Sequence, residues 1–143
     1  MKDWDKCLEH DMVKERSENP AQARNLLKMA RIRLEDNKRR EKTEDNISLI
    51  VESYWEVIKQ MITSLIKLEG YKCYSQECLI SYLKQKQKFS QGQISLLNQL
   101  RKLRNDIDYE GEFLDKDYLD RNEENIEEIV EELENSIKNR IRS

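Results

Sequence analysis

Glycine and proline are scarce in this chain of 143 residues, at three and one respectively, so there is little material for the tight turns that an all-β fold requires. Histidine occurs once, at His10, and the three cysteines Cys7, Cys73 and Cys78 are odd in number and lack paired metal-ligand spacing. A zinc centre or a disulfide framework is therefore not expected, and buried free thiols are the reading we take. No cofactor or metal site is predicted. No apolar run approaches the ~18 residues of a membrane span, and Asp3, Asp5 and Glu9 near the start are incompatible with a secretory leader. A soluble, cytoplasmic protein with no membrane partner is expected. A strong charge of either sign is absent too, since 26 cations offset 29 anions to leave −3, so net charge neither favours nor excludes nucleic acid.

What the chain has in abundance is Leu, Ile, Glu, Lys, Gln and Arg, all good helix formers. The expected fold is all-α, an antiparallel helical bundle of four to five main helices with a short N-terminal helix. Residues 1–143 read as a single domain, with residues 1–18 a loosely attached N-terminal segment and 19–141 the bundle. The N-terminal helix spans residues 4 to about 16 on few apolar anchors. Asn19 then caps a helix with Pro20 at its first position, and Ala23, Leu26, Leu27, Ala30 and Leu34 share its inner face until the polar run 36–45.

Residues 46–69 form the central helix, apolar over a wide face, and Gly70 stops it. Ser75 opens a shorter helix running to about Lys88. Ser90 and Gln93 make a capping box for a fourth long helix ending around Gly111, and Asp115 caps the last. Charge is segregated along this order. Lys38-Arg39-Arg40 is basic, whereas Glu123-Glu124, Glu127-Glu128 and Glu131-Glu132 are acidic.

The end of the fourth helix, residues 100–111, crowds Arg101, Arg104, Asn105, Asp108 and Tyr109 onto two turns. Read by spacing alone, Arg104 and Asp108 are an i,i+4 ion pair stabilising by only ~0.3–0.5 kcal/mol, with Arg101 joining from the preceding turn. Glu52 and Glu56, carboxylates on a largely apolar helix, need partners, and Arg101 or Arg104 are natural ones; for Glu56 a bare surface position serves equally. The aromatic set Tyr54, Trp55, Tyr71, Tyr74, Tyr82 and Tyr109 reads mostly as core, with base stacking the other use.

The pair Arg104-Asn105 followed by Tyr109 resembles the signature of HEPN domains, an Arg with a polar neighbour and a His a few positions on, with Tyr109 in place of that His. Glu52-Ser53-Tyr54-Trp55-Glu56, the turn Gly70-Tyr71-Lys72 and Cys78-Leu79-Ile80-Ser81-Tyr82-Leu83 are similar to the corresponding segments of archaeal-type members. The resemblance covers residues 20–140. It implies a helical bundle pairing as a homodimer, with the Arg-Asn segments of two copies near a shared cleft. The implied partner is a minimal nucleotidyltransferase, the two forming a toxin–antitoxin pair, and the implied ligand an RNA or nucleotide.

In active members of that family the Arg steadies phosphate and the His moves protons. A Tyr phenol, ordinarily titrating at about 10, is a poor base at neutral pH. The favoured expectation is a non-catalytic module in which Arg104 and Arg101 bind phosphate, Asn105 orients it, and Tyr109 donates a hydrogen bond, with Asp108 and Glu52 lining the site. The alternative is a metal-independent endoribonuclease in which Arg104 works with Tyr109 or a nearby carboxylate. A third reading is a purely structural bundle whose Arg104 network pins a helix end.

Overall fold

The computed structural model describes residues 2–142. Its elements are α1 (Trp4–Glu9), β1 (Val13–Glu15), α2 (Pro20–Arg39), α3 (Ile47–Glu69), β2 (Tyr71–Cys73), α4 (Gln76–Lys86), α5 (Gln91–Glu110) and α6 (Lys116–Arg142). The all-α expectation holds, with one small two-stranded addition. Among the described residues no helix is long and apolar enough to cross a membrane.

Local chemistry sets the helix limits. The Asn19 side chain accepts from Gln22 N at 3.0 Å, Ser75 Oγ from Cys78 N at 3.3 Å and Asp115 Oδ1 from Tyr118 N at 3.2 Å. Ser90 and Gln93 exchange bonds of 3.1 and 2.9 Å in the capping box. Gly70 ends α3 with φ +83°, and a Cβ there would lie 2.8 Å from the Arg16 carbonyl oxygen, so both backbone sign and space demand glycine.

Helix α3 is the hub. Its residues from Ile47 through Leu68 are buried on nearly every side, and α2, α5, α6 and β2 all pack on it. Asn37 Nδ2 donates to Ile50 O (3.3 Å) and Ser64 Oγ to Ala23 O (2.8 Å), so α2 runs antiparallel to α3. Tyr54 near one end of α3 bonds Glu123, and Leu68 at the other end meets Arg140, so α6 runs parallel to it. Ser81, Ser64 and Asn37, polar but buried, each donate to a backbone carbonyl, as interior polar groups must.

The N-terminal segment departs from expectation. It is not loosely attached, because Trp4 is only 2% exposed, Cys7 and Val13 are buried, and Trp4 meets Tyr71 and Tyr82 edge-on at centroid distances of 5.6 and 5.4 Å. The helix stops at Glu9 rather than about Arg16. Asp11 turns the chain at φ +59°, and β1 pairs antiparallel with β2 through Val13–Cys73, Lys14–Lys72 and Glu15–Tyr71. Both strands lack local hydrogen-bond partners, and each supplies the other's.

The cysteines also differ from expectation. Cys7 and Cys78 form a disulfide with Cα atoms 6.0 Å apart, tying α1 to the start of α4. Cys73 alone is a free thiol. The reason is tertiary. Once Trp4 docks over Tyr82, Cys7, three residues on and on the same face of α1, is carried onto α4.

Candidate functional site

Residues four apart on a helix share a face, so Glu52 and Glu56 on α3 line up, as do Arg104 and Asp108 on α5. The two helices run antiparallel, and the pairs meet. Arg104 Nε stands 3.0 Å from Asp108 Oδ2 and 3.9 Å from Glu56 Oε1, with its side chain only 20% exposed. Lys59 closes the far side of Glu56 at 2.9 Å. The expected Arg104–Asp108 pair is thus part of a larger network reaching α3, which Arg101 does not enter as an ion-pair partner among the described residues.

Glu52 is the most perturbed carboxyl. Its hydrogen bond with Asp108, then burial, then the Asp108 charge push it up to about 7, while the Arg104 cation pulls the other way. Glu52, hydrogen-bonded to Asp108 beside a guanidinium, is thus a carboxyl that changes charge near neutral pH.

The guanidinium side is incompletely satisfied. The Nε of Arg104, despite its closeness to Asp108, and the Nε of Arg101 one turn earlier are both buried with no acceptor in hydrogen-bond geometry among the described residues. An unmet buried donor costs about 1–3 kcal/mol, so the Arg101 Nε, which unlike that of Arg104 has no ion-pair partner among the described residues, is a deficit that an anion relieves.

Asn105 is half-buried beside them. Tyr109 is 75% exposed and takes no part in the Arg104 network. Of the predicted site residues, then, Glu52, Arg104 and Asp108 come together, Arg101 and Asn105 adjoin them, and Tyr109 stands at the solvent edge. Of the aromatic set, Tyr54, Trp55 and Tyr82 are core, whereas Tyr74 and Tyr109 are exposed. No group of three or more acidic, His or Cys side chains is arranged to hold a metal among the described residues.

One positioning residue had escaped sequence reasoning. Ser48 donates to Glu112 O (3.3 Å) and accepts from Leu114 N (2.7 Å), clamping the loop after α5 onto the start of α3. Gly111, with φ +65°, makes the turn. The clamp holds the last turns of α5 against Glu52. A serine among apolar residues at a helix start is its only sequence trace.

The chain matches no family model, no curated protein and no solved structure.

Proposed function

We propose that this protein is a HEPN-like interaction module that binds the phosphate of an RNA or nucleotide at the α3–α5 site. The single observation that carries the reading is the pair of part-buried guanidinium groups on consecutive turns of α5, Arg104 held between Asp108 and Glu56 and Arg101 with a buried Nε that has no acceptor among the described residues. A phosphate offers planar guanidinium donors several oxygens at charge-assisted distances, which a lone side-chain carbonyl cannot. Asn105 orients the anion, and exposed Tyr109 offers a ring for stacking or a hydroxyl for hydrogen bonding. The HEPN resemblance adds pairing of two copies, a minimal nucleotidyltransferase as partner and a toxin–antitoxin setting.

A second reading has its own support. Glu52, pushed up to about 7 and hydrogen-bonded to Asp108, has the proton affinity wanted of a general acid or base where the family's His is missing. It makes the protein a metal-independent endoribonuclease, with Arg104 steadying the scissile phosphate.

The test is fluorescence anisotropy with labelled single-stranded RNA and with a nucleotide, alongside RNA cleavage in chelator. Arg104→Ala should weaken binding by about tenfold or more while the protein stays folded. Unchanged binding with a lowered melting temperature would leave only the structural bundle. Cleavage that disappears in both Arg104→Ala and Glu52→Gln would establish the nuclease.

A further inference from the structure

Helices α5 and α6 both pack on α3 and barely touch each other, which leaves a groove between them. Its volume is about 690 Å³, within the range of ligand-binding clefts. At one end Gln93 on α5 donates to Glu132 on α6 (3.1 Å), and at the other Tyr118 on α6 donates to Gln99 on α5 (2.8 Å), so the helices run antiparallel along it. From Asn122 to Glu132 the α6 wall is about 15 Å long.

The chemistry of the walls is graded. Toward the Tyr118 end it is neutral amide. Gln99 accepts from Tyr118 through Oε1 and keeps its Nε2 donors, and Asn122 donates to Tyr118 O (2.8 Å) through Nδ2 and keeps its Oδ1 acceptor. Asn125 is exposed between them and the acidic end. That end carries Glu128, exposed and in no ion pair among the described residues, and Glu132, one of whose oxygens is held by Gln93. Leu96 and Ile129 add apolar surface, and among the described residues no Lys or Arg lines the groove.

Gly92 lines the α5 wall at the acidic end, and the fold does not require a glycine there. Its φ is not positive, and a Cβ would meet only Ser90 Oγ at 3.9 Å. In a helix glycine is less stable than alanine by about 0.5–1 kcal/mol, so the position carries a cost that neither turn nor packing explains. What the missing side chain provides is room for another backbone to come close.

We propose that the α5–α6 groove is a peptide-binding site whose occupant is an extended segment of a partner protein, about four to five residues long, with a Lys or Arg at the acidic end. A side-chain amide presents a donor and an acceptor together, matching the N–H and C=O of a peptide unit, and Gln99, Asn122 and Asn125 offer both. Glu128 and Glu132 take the cationic side chain through charge-assisted bonds. Other ligand classes leave part of the wall unmet. A phosphate faces two carboxylates and no cation, and an apolar ligand strips water from the amides without replacing its hydrogen bonds. A polyamine answers the carboxylates and leaves the amides unused. This groove is separate from the α3–α5 site and does not depend on what that site binds.

The test is fluorescence anisotropy of the full chain with labelled, end-capped pentapeptides of Ser and Ala around a central Leu, bearing one Lys at either end. One of the two should bind, and its counterpart with Glu in place of Lys should bind about tenfold more weakly. Glu128→Lys should reverse that preference. Gly92→Leu fills the open stretch of wall and should abolish binding of the lysine peptide without lowering the melting temperature. Glu128 is exposed, so Glu128→Lys decides the matter even where Gly92→Leu disturbs the Ser90–Gln93 capping box. No anisotropy change with either lysine peptide up to about 1 mM, equal binding of the glutamate peptide, or binding indifferent to Glu128→Lys would overturn the proposal. So would spermidine binding that is lost in Glu128→Lys while neither peptide binds, which would assign the carboxylates to a free polyamine. Circular dichroism of both variants, and RNA binding by Gly92→Leu, expected unchanged, keep failure of this groove distinct from unfolding and from failure of the α3–α5 site.

Discussion

Replacing Glu52 with Gln removes a titrating proton and keeps a hydrogen-bond donor toward Asp108. In the folded protein the Glu52 carboxyl is raised from its ordinary 4.5 to about 7, first by its bond with Asp108, then by burial. A raised carboxyl binds its proton more tightly folded than unfolded. Its contribution is therefore fully present below about pH 4.5 and is lost as pH rises through about 7. Fully sheltered, that difference would be worth about 3 kcal/mol. Glu52 is only partly buried, so solvent screening reduces the expectation to ~1 kcal/mol. Glu52→Gln, neutral at every pH, should match the wild type near about pH 5 and exceed it by ~1 kcal/mol near about pH 8 in urea unfolding. If the difference between the two proteins is the same at both pH values, or favours the wild type at the higher one, Glu52 does not hold its proton against Asp108 and the site has been assembled wrongly.

The Cys7–Cys78 bond closes a loop of 71 residues, so a reducing agent, or Cys7→Ala with Cys78→Ala, should lower stability by about 4 kcal/mol in urea unfolding. A loss below about 1 kcal/mol would mean that the bond constrains the unfolded chain very little. Trp4→Ala removes a buried ring packed against Tyr71 and Tyr82 and should cost about 3–5 kcal/mol; a cost under about 1 kcal/mol would restore the loosely attached N-terminus. Gly70→Ala forces a side chain into left-handed backbone and against the Arg16 carbonyl, and should cost about 2 kcal/mol or more, read as a lowered melting temperature. Near-neutral behaviour there would show that the β1–β2 junction yields.

The five main helices, α2 to α6, were determined by the sequence alone, because their causes are local. Asn19-Pro20, the Ser90–Gln93 box, Asp115, Gly70 and Gly111 each act within a few residues, and the apolar periodicity of residues 47–68 makes a central helix whatever surrounds it. The Arg104–Asp108 pair was legible for the same reason, being one helical turn long. What only the tertiary structure decided lies across long stretches of chain. The β1–β2 ladder, the Cys7–Cys78 bond and the Ser48 clamp join residues roughly 60 to 70 positions apart, and no periodicity encodes which distant partner a short segment finds. Glu52 is the sharpest case. On its helix it is one more carboxylate, and only the antiparallel approach of α5, which sets Asp108 against it and Arg104 beside it, turns it into a group that exchanges its proton near neutral pH.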